Sequence, residues 1–470
     1  MRKETIENDS GWFLEETATA DLGDKRLNKR LSNVLEMLSR KPTGSIPAAS
    51  KGWDETKAAY RFLDNEAATL SSVLKPHRQA TEERIKKEAV VLLPQDTTEL
   101  DYSSKKQTQG LGKLNYDNQL GMHLHSTLAL TPDRICLGVV HAEVLVREKL
   151  GGSKRSQLPI EQKESMRWLN SYRIAQGMAE GCPNTKIVSM ADREGDIYDI
   201  FVESQKAKGE SQAEWIIRAN QNRCLLETEG NGGKKGKKLF KKIEEAPVIG
   251  EVEFNLPKIK GRKARKVTQE IRELTLTLKA PYRRDKTLPD VTINVVFAKE
   301  INAPLGVEPI EWVLLTSLPI GTKEQALQVV EWYLCRWQVE IFFKILKVGC
   351  AVEELQLKTV DRLKPCLALY MVIAWRILYI TMLGRSYPEI PCNAVFEDEE
   401  WQAAYIVVRR RPPPEKPPGL NEMIRMIASL GGFLNRKGDG YPGPQTIWLG
   451  MQRNRDFVTA MEAQNAIKST

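Results

Sequence analysis

The chain has 470 residues, too many for one hydrophobic core, so roughly two to four domains are expected. Its hydrophobic content of 41% and charged content of 28% are those of an ordinary soluble globular protein. The formal net charge of +9 comes with clustered Lys and Arg, which is compatible with a polyanionic partner.

The cysteine content and the apolar segments bear on the cellular compartment. Seven cysteines without a CxxC spacing argue against a disulfide framework or a zinc site and fit a reducing cytoplasm. The N-terminal MRKETIENDSGW has no apolar core, so we expect no signal peptide. Residues 366–383 are apolar but carry Arg376 centrally, which costs about 2.5–3.5 kcal/mol in a bilayer, so we predict a buried core helix and no membrane partner.

The first 75 residues have the periodicity of helices with basic faces. Residues 24–40 repeat apolar side chains at helical spacing after Asp24, a candidate N-cap, and a second helix begins near Trp53. The segment PTGSIPAAS links the two. A small helical module with basic faces is suited to DNA contact, although the same faces are also compatible with simple solvation. The basic side chains are Lys25, Arg26, Lys29, Arg30, Lys57 and Arg61.

The next hundred residues alternate between strands and a helix. Strands are predicted at 89–93, 123–131, 135–147 and 186–190, with a helix over 159–181. Asp96 follows the first strand, and Asp192 follows the fourth. The order strand, strand, strand, helix, strand is that of the ribonuclease-H-like (retroviral-integrase-like) α/β fold, whose first and fourth strands are adjacent. His123 and His125 alternate along a strand and are interpreted as structural.

The composition changes after a possible fifth strand at 213–219. Residues 221–310 contain strand-like runs separated by GNGGKKGKKLFKK and KIKGRKARK, and we interpret them as a β-rich insertion with basic loops. Such loops either track DNA phosphates or are simply solvated. Trp312 then opens the apolar run WVLLTS.

Residues 331–349, EWYLCRWQVEIFFKILKVG, predict a single helix with an unusual face. At about 100° per residue its polar side chains fall within an arc of roughly 80°, and the rest of its surface is apolar, as in a buried helix. The stripe either pairs internally at i,i+4 spacing or needs partners elsewhere, because burying unpaired charge is costly. Its members are Tyr333, Arg336, Glu340, Lys344 and Lys347, with Trp337 at the border.

The C-terminal hundred residues predict further helices. After the apolar segment come an acidic stretch at 397–400 and the run RRRPPPEKPP, whose consecutive prolines exclude a helix. Helices are predicted at 420–434 and 448–466.

Three carboxylates stand out from this survey: Asp96, Asp192 and Glu340. Mg²⁺ binds through a few carboxylates together with water and substrate phosphate. Two such ions about 3.5–4 Å apart can clamp the attacking and leaving oxygens of an in-line phosphoryl displacement. The cations on the same helix as Glu340 would meet the phosphates of DNA.

The spacing Tyr-xx-Arg-xxx-Glu-xxxxxx-Lys in YLCRWQVEIFFKILK resembles the signature of the IS-four family of bacterial cut-and-paste DDE transposases, close to its Tn-five branch. The segments QDTTELDY, ADREGDI, LGGFLNRKGDG, DLGDKRLNKRL and YRFLDN are also similar to that family. The resemblance covers essentially the whole chain and is weaker over 221–310 and 385–430.

The resemblance implies a role for each matching residue. Asp96, Asp192 and Glu340 would bind two Mg²⁺ ions, for which Mn²⁺ would substitute. Tyr333, Arg336 and Lys347 would contact phosphates near the transposon end, and Trp312 would hold a flipped base, since an exposed aromatic gives a base somewhere to stack. The remaining DNA contacts would be Lys344 and Trp337, with Arg26, Arg30 and Arg61 in the end-binding domain.

The implied domain order is a helical end-binding domain at 1–75, a ribonuclease-H-like core at 76–220 and 311–375 interrupted by the insertion at 221–310, and a helical dimerisation domain at 376–470. The expected partners are double-stranded DNA, both terminal inverted repeats and target, and a second copy in a synaptic complex in the cytoplasm of a bacterium. Two alternatives stay open: a ribonuclease-H-like nuclease without strand transfer, and a transposase-derived DNA-binding regulator.

Overall fold

A computed structural model describes residues 11–116, 118–147, 159–206, 211–226, 238–256, 264–283 and 286–468. The chain divides into two compact units. The helix unit comprises Met1–Arg84, Thr97–Leu150 and Glu340–Thr470, and the sheet unit comprises Ile85–Asp96 and Gly151–Val339. Most of the basic stretches GNGGKKGKKLFKK and KIKGRKARK lie outside the described residues. Their predicted contact with DNA phosphates therefore stays a prediction.

The strands are β1 (Val90–Asp101), β2 (Gly112–Lys113), β3 (Leu120–Leu130), β4 (Cys136–Leu145), β5 (Lys186–Ala191), β6 (Glu214–Arg218), β7 (Val248–Leu256), β8 (Arg265–Leu278), β9 (Val291–Ile301) and β10 (Glu311–Thr316). The helices are α1 (Trp12–Thr17), α2 (Lys25–Arg40), α3 (Ile46–Ala49), α4 (Trp53–Leu63), α5 (Leu70–Ile85), α6 (Met166–Gly181), α7 (Tyr198–Ser204), α8 (Leu239–Glu244), α9 (Lys323–Leu334), α10 (Trp337–Lys344), α11 (Val360–Ser386), α12 (Asp398–Arg409), α13 (Leu420–Leu430) and α14 (Pro444–Lys468).

The N-terminal helices form where their sequence pattern predicts them. The Asp24 carboxylate accepts a hydrogen bond from the Arg26 backbone N–H at 2.7 Å, so Asp24 caps α2 as expected. The segment between α2 and α4 is not a plain linker, because its Ser45 caps the short helix α3.

The long helix α11 is the core of the helix unit. By length and composition it could cross a membrane, but 94% of its most apolar 18-residue window is buried inside the protein. Arg376 is buried with it and donates a hydrogen bond to the Val395 carbonyl at 2.9 Å. The prediction of a buried core helix at 366–383 is confirmed.

A buried polar network ties α1 and α5 to α11 and β4. His77 Nε2 accepts the backbone N–H of Val139 at 3.0 Å, and His77 Nδ1 hydrogen-bonds the Glu16 carboxylate. Glu16 also accepts two hydrogen bonds from Arg84, at 2.7 and 3.2 Å. The Trp375 ring packs against both His77 and the Arg84 guanidinium. We call these four side chains the His77 network.

The sheet unit is built on a mixed sheet in the order β1-β5-β6-β10-β9-β8-β7. β1, β5 and β6 are parallel, and the remaining neighbours in this order pair antiparallel. In the helix unit, residues 97–101 of β1 lie beside β3, which pairs with β2 and β4. The mixed α/β architecture is consistent with a ribonuclease-H-like core, and the predicted adjacency of the first and fourth strands is confirmed.

The first strand is longer than its apolar run. The sequence predicts a strand that ends at Leu93, but β1 continues through Asp101, so Asp96 lies within the strand and not after it. The run QDTTELD is polar because this half of β1 is only partly buried, and an apolar pattern cannot detect a strand held by backbone pairing alone.

The predicted single helix at 331–349 is wrong. α9 ends at Leu334 and α10 begins at Trp337, with the intervening turn closed by hydrogen bonds from the Cys335 and Arg336 N–H groups to carbonyls three residues earlier. After Lys344 the helix widens into a π-helix, Ile345–Gly349. Helical periodicity cannot reveal this break, because both halves keep apolar faces and the segment contains no proline.

Two predicted boundaries, at 75 and 375, fall inside the continuous helices α5 and α11. The backbone is helical on both sides of each position.

Candidate active site

Two of the three predicted carboxylates come from neighbouring strands of the sheet unit. The parallel register of β1 and β5 pairs Val90 with Lys186 and continues to Pro94 with Met190. The paired register ends there, and Asp96 and Asp192 each follow two residues later, Asp96 within β1 and Asp192 directly after β5. The Gln95 side chain, one residue before Asp96, donates a 3.1 Å hydrogen bond to the Ser189 hydroxyl, so the two strands are also joined by a side-chain contact.

The turn after β5 fixes the direction of Asp192. Its carboxylate accepts the Glu194 backbone N–H at 2.8 Å and caps a 3₁₀ turn, Arg193–Gly195. Gly195 is required in this turn, because a Cβ there would come within 2.4 Å of the Ala191 Cβ. The motif ADREG therefore places a carboxylate at the end of β5 and turns the chain away at once.

Arg336 meets Asp96 directly. Arg336 Nη1 donates to Asp96 Oδ2 at 2.9 Å, and the two side chains are 10% and 17% exposed. The guanidinium is flanked by the rings of Tyr333 and Trp337, with centroid distances of 6.0 and 5.9 Å. One partner of Arg336 is thus a carboxylate on another element, as the second interpretation of the charged stripe requires. Arg336 itself lies at the turn between α9 and α10.

Tyr333 and Arg218 complete a group of interacting charges around Asp192. Burial raises the pKa of Tyr333, while the neighbouring Arg336 and Arg218 oppose that rise. Burial lowers the pKa of Arg218, which interacts electrostatically with Tyr333, Arg193, Arg336 and Asp192. Tyr333 is only 3% exposed, so it lies in the interior near these charges and not on the surface.

Arg218 is a site residue that the sequence interpretation missed. It ends β6, the strand beside β5, and its Nη2 donates to the Glu311 carbonyl at 2.9 Å. The signal was available: an arginine directly after the apolar run WII is the basic counterpart of an aspartate directly after a buried strand.

Trp312 is not the exposed aromatic that was expected. It is 6% exposed, because the Phe254 ring from β7 stacks on it with a centroid distance of 5.6 Å and an angle of 15°. The Tyr333 ring meets it edge-on at 5.7 Å. Exposure was misjudged because Phe254 lies 58 positions earlier and only the sheet brings the two rings together.

The remaining stripe residues lie on α10 and the π-helix. Glu340 follows Arg336 by four residues and is partly exposed, while Trp337 and Lys344 are exposed. Lys347 Nζ donates to the Glu99 carbonyl at 2.8 Å and forms a 3.1 Å ion pair with Glu353. Lys347 is therefore held by two oxygen acceptors of the helix unit.

The predicted end-binding residues lie on the N-terminal helices. Arg26 and Arg61 are exposed on α2 and α4, and Arg30 is partly buried. Near them Trp53 is exposed, with the Lys57 ammonium 5.4 Å from its ring centroid. Basic and aromatic groups on one helical surface suit contact with a polyanion.

The two aspartates are chemically suitable ligands for a hard divalent cation, but they do not form a complete metal site by themselves. Asp96 and Asp192 present carboxylate oxygens from neighbouring strands, which is the donor type that Mg²⁺ prefers. Among the residues that the structure describes, no group of three or more His, Cys, Asp or Glu side chains is arranged to hold a metal ion. The arrangement can thus supply two carboxylates to a divalent cation and neighbouring arginines to a phosphodiester.

Three protein families match successive parts of the chain. Residues 9–68 match a family described as transposase DNA-binding. Residues 205–375 match a transposase DDE domain, and residues 372–469 match the dimerisation domain of transposase Tn5. The DDE match includes Glu340, Arg218 and Trp312 but begins after Asp96 and Asp192, so the role of those two residues depends on the sheet geometry.

Proposed function

Because the chain is a Tn5-like DDE transposase of the IS-four family, an enzyme that binds DNA and forms homodimers, we propose that it moves its element by cut-and-paste transposition. The observation that carries this proposal is the pairing of Asp96 with Arg336 beside Asp192. Carboxylates for metal ions and a cation for phosphate meet there in a single group, as phosphodiester chemistry requires.

Asp96, Asp192 and Glu340 are the proposed metal ligands and catalytic carboxylates. Transposases with a DDE domain generally use divalent metal ions, and two Mg²⁺ ions, replaceable by Mn²⁺, are the proposed occupants. When bound, such ions would neutralise phosphate charge and lower the pKa of an attacking water. The inclusion of Glu340 is supported by the Tyr-Arg-Glu-Lys spacing and by Arg336, one helical turn earlier, which contacts Asp96.

Arg336, Tyr333 and Lys347 are the proposed phosphate contacts near the transposon end, with Lys344 and Trp337 beside them in sequence. The exposure of Lys344 and Trp337 supports this assignment. Arg218 joins the proposal because its charge acts on the same group as Arg336. Arginine suits this task because its planar guanidinium binds phosphate with two parallel hydrogen bonds.

End recognition is assigned to the N-terminal helices, through Arg26, Arg30 and Arg61. The DNA-binding match over 9–68 and the exposure of Arg26 and Arg61 support this role. The C-terminal helices would pair two copies, each bound to one transposon end, in a synaptic complex. The dimerisation match over 372–469 supports that assignment and a domain division near residue 372.

The proposed layout is a catalytic core at 76–220 and 311–375 interrupted by a β-rich insertion at 221–310. The strands β7, β8 and β9 within that range support the insertion. Its basic loops would track DNA phosphates, so affinity should fall steeply with salt, with a log–log slope of several units. A flat salt response would remove this role from the loops. The proposed compartment is the cytoplasm of a bacterium.

The proposed reaction has four in-line displacements at one site. Water attacks the phosphodiester at the transposon end, and the bond to the 3′ oxygen breaks to leave a 3′-OH. That 3′-OH attacks a phosphodiester of the opposite strand and closes a hairpin, which breaks the bond to the 3′ oxygen of the flanking DNA, and Trp312 would hold the displaced base. Water then attacks the hairpin phosphodiester and breaks its bond to the 3′ oxygen, which regenerates the 3′-OH. The 3′-OH finally attacks a phosphodiester of target DNA and displaces the target's 3′ oxygen. In all four steps the Arg336 and Arg218 guanidinium groups would stabilise the negative charge of the reacting phosphate.

One experiment separates this proposal from its alternatives. Purified protein is mixed with Mg²⁺, a linear DNA carrying the element's own terminal inverted repeats, and a plasmid target. Joined products are expected, and they should disappear with Asp192→Ala. Cleavage without joining would indicate a nuclease. Binding without either product, unaffected by Asp192→Ala, would indicate a DNA-binding regulator.

A further inference from the structure

The stack of Phe254 on Trp312 occupies the surface that a displaced base would need. Their ring planes are 15° apart with centroids at 5.6 Å, and the Tyr333 ring meets the indole in a T-shaped contact at 5.7 Å. A nucleobase stacks on an aromatic ring at a plane separation of about 3.5 Å, the optimal distance between carbon atoms. The face of Trp312 that Phe254 covers therefore cannot hold Phe254 and a base at the same time.

We propose that Phe254 is a placeholder for an unpaired nucleobase: it covers Trp312 before DNA binds and gives up that face when the base arrives. The inference rests on the base-holding role proposed above for Trp312. It identifies a further residue of that site, contributed by β7. It also implies that the base and the Phe254 ring compete for the same face of Trp312.

The strands that carry the two rings show which one can move. Trp312 is on β10, which is hydrogen-bonded to β9 on one side and to β6 on the other. Phe254 is on β7, which is the last strand in the order of the sheet and, among the strands that the structure describes, pairs with β8 alone. A strand with one hydrogen-bonded neighbour can shift at lower cost than one with two. The movable ring is therefore Phe254.

The surroundings of Phe254 agree with a reversible contact. Side chains along β7 alternate between exposed and partly buried, and none of them is fully buried. The pairing of β7 with β8 is also irregular between Val248 and Gly250. Phe254 thus leaves no deeply packed pocket behind when it moves, in contrast to Trp312, whose removal would open a buried site.

Competition gives a measurable consequence. Stacking between two aromatic side chains is worth enough to change an equilibrium about two- to tenfold. In the wild-type chain the Phe254–Trp312 stack is lost when the base binds, so its free energy reduces the net stabilisation from stacking the base on Trp312. Removing the Phe254 ring should therefore raise the contribution of the base to binding by about two- to tenfold.

The test compares three hairpin-ended duplexes made from the element's own terminal inverted repeat. In the first, both loop nucleotides carry their natural bases, and in each of the other two, one of the loop nucleotides is abasic. The dissociation constant of an abasic duplex is divided by that of the natural duplex. This ratio isolates the contribution of the base, because every phosphate contact is shared. It is measured for the full-length wild-type chain and for Phe254→Ala, Phe254→Tyr, Val252→Ala and Trp312→Ala.

Phe254→Ala should raise the ratio about two- to tenfold. Phe254→Tyr keeps the ring and should match the wild type, as should Val252→Ala, which truncates a partly buried side chain two positions earlier on the same strand. Phe254→Leu, which keeps apolar volume on β7 without a ring, gives the same test if the alanine variant does not fold. An unchanged ratio in the folded Ala or Leu variant, or an equal rise in Val252→Ala, overturns the placeholder role.

The Trp312→Ala variant separates this failure from that of the proposed function. Its ratio should fall to about one whichever residue covers the indole. If Trp312→Ala keeps the wild-type ratio, Trp312 does not hold the base, and the proposed base-holding role itself is wrong. If only Trp312→Ala changes the ratio, the base-holding role stands and Phe254 is a structural neighbour.

Discussion

The His77 network and the candidate active site both combine carboxylates with basic side chains, but the first is structural and the second is proposed to bind ligands. In the His77 network, Glu16 and His77 are 3% and 1% exposed, and the carboxylate, the imidazole and the guanidinium satisfy one another. In the candidate active site, Asp96 and Arg336 are 17% and 10% exposed, less than the 24% of Arg84, and Arg218 adds positive charge beside Asp192. The difference is therefore one of composition: the His77 network balances its charges around a single carboxylate, whereas the candidate site gathers two carboxylates and two arginines, whose proposed ligands are a metal ion and DNA phosphate.

This difference shows how a scaffold can be told from a site without reference to relatives. A buried charged network is stable only when its members satisfy each other, since an unpaired buried charge is costly. A site must instead keep ligand-binding capacity and stay reachable. The predictions below change one group at a time and ask whether stability or chemistry responds.

The largest effect is expected at Asp192. Asp192→Asn removes a proposed metal ligand and should lower the cleavage rate by at least about 10³-fold, since metal ions contribute several kcal/mol to such displacements. The melting temperature should hold. The rate is measured as nicking of terminal-repeat DNA under single-turnover conditions.

The control is Asp199→Asn in the neighbouring helix α7. The Asp199 carboxylate is buried and pairs with Arg283 and Lys286, at 3.1 and 2.8 Å. This variant should lose stability and keep its cleavage rate. An equal loss of cleavage in both variants would mean that Asp192 acts through folding and not through chemistry.

The next effect is expected at Arg336. Arg336→Ala should slow cleavage about 10²-fold, because a charge-assisted hydrogen bond to phosphate is lost near the reacting group. Arg336→Lys keeps the charge but not the planar fork and should recover only part of the rate. Arg173→Ala, which breaks a surface pair with Glu203, should leave the rate unchanged. Equal rates for Arg336→Ala and Arg173→Ala would make the Asp96 contact purely structural.

A stability effect is expected from the His77 network at mildly acidic pH. Burial lowers the pKa of His77 below its ordinary value of 6.5, although Glu16 opposes this, and His77 Nε2 already accepts a backbone N–H. The unfolded chain therefore binds a proton more readily than the folded one. The stabilisation is fully present above pH 6.5 and is lost as the pH falls, by up to about 1.4 kcal/mol per pH unit.

Melting temperatures between pH 7.5 and pH 5 test this. Burial alone would raise the pKa of Glu16, but His77 and Arg84 lower it overall, so its own contribution is lost only below its ordinary value of 4.5. His77→Gln should cost about 1–3 kcal/mol at pH 7.5, because buried partners lose a hydrogen bond, and should flatten the pH dependence. A slope that survives in His77→Gln would assign the titration to another group.

The smallest effect is expected at Glu353, whose carboxylate pairs with Lys347. Glu353→Gln frees the ammonium for phosphate and should raise affinity for DNA about two- to fivefold at low salt, the worth of a partly exposed ion pair. Glu354→Gln removes the same charge one residue later. Its carboxylate is 73% exposed and pairs with Lys105, so affinity should stay unchanged. An equal gain in both variants would reflect net charge alone.

Much of the fold could be predicted from local pattern. The N-cap of α2, the strands β3, β4 and β5, and the buried helix α11 all follow from apolar patterning and capping chemistry. The candidate aspartates could also be found, because a carboxylate beside a buried strand is visible in one segment. The extent of β1 and the break before α10 could not, because backbone pairing and packing set them without an apolar signal.

The sequence by itself determined which residue types stand near one another along the chain: the aspartates at β1 and β5, and the Tyr-Arg-Glu-Lys spacing. Only the tertiary structure decided which of them meet. It paired Arg336 with Asp96, added Arg218, and covered Trp312 with Phe254. The physical reason is that periodicity reports which face of an element is buried, whereas strand order and register decide what lies against that face.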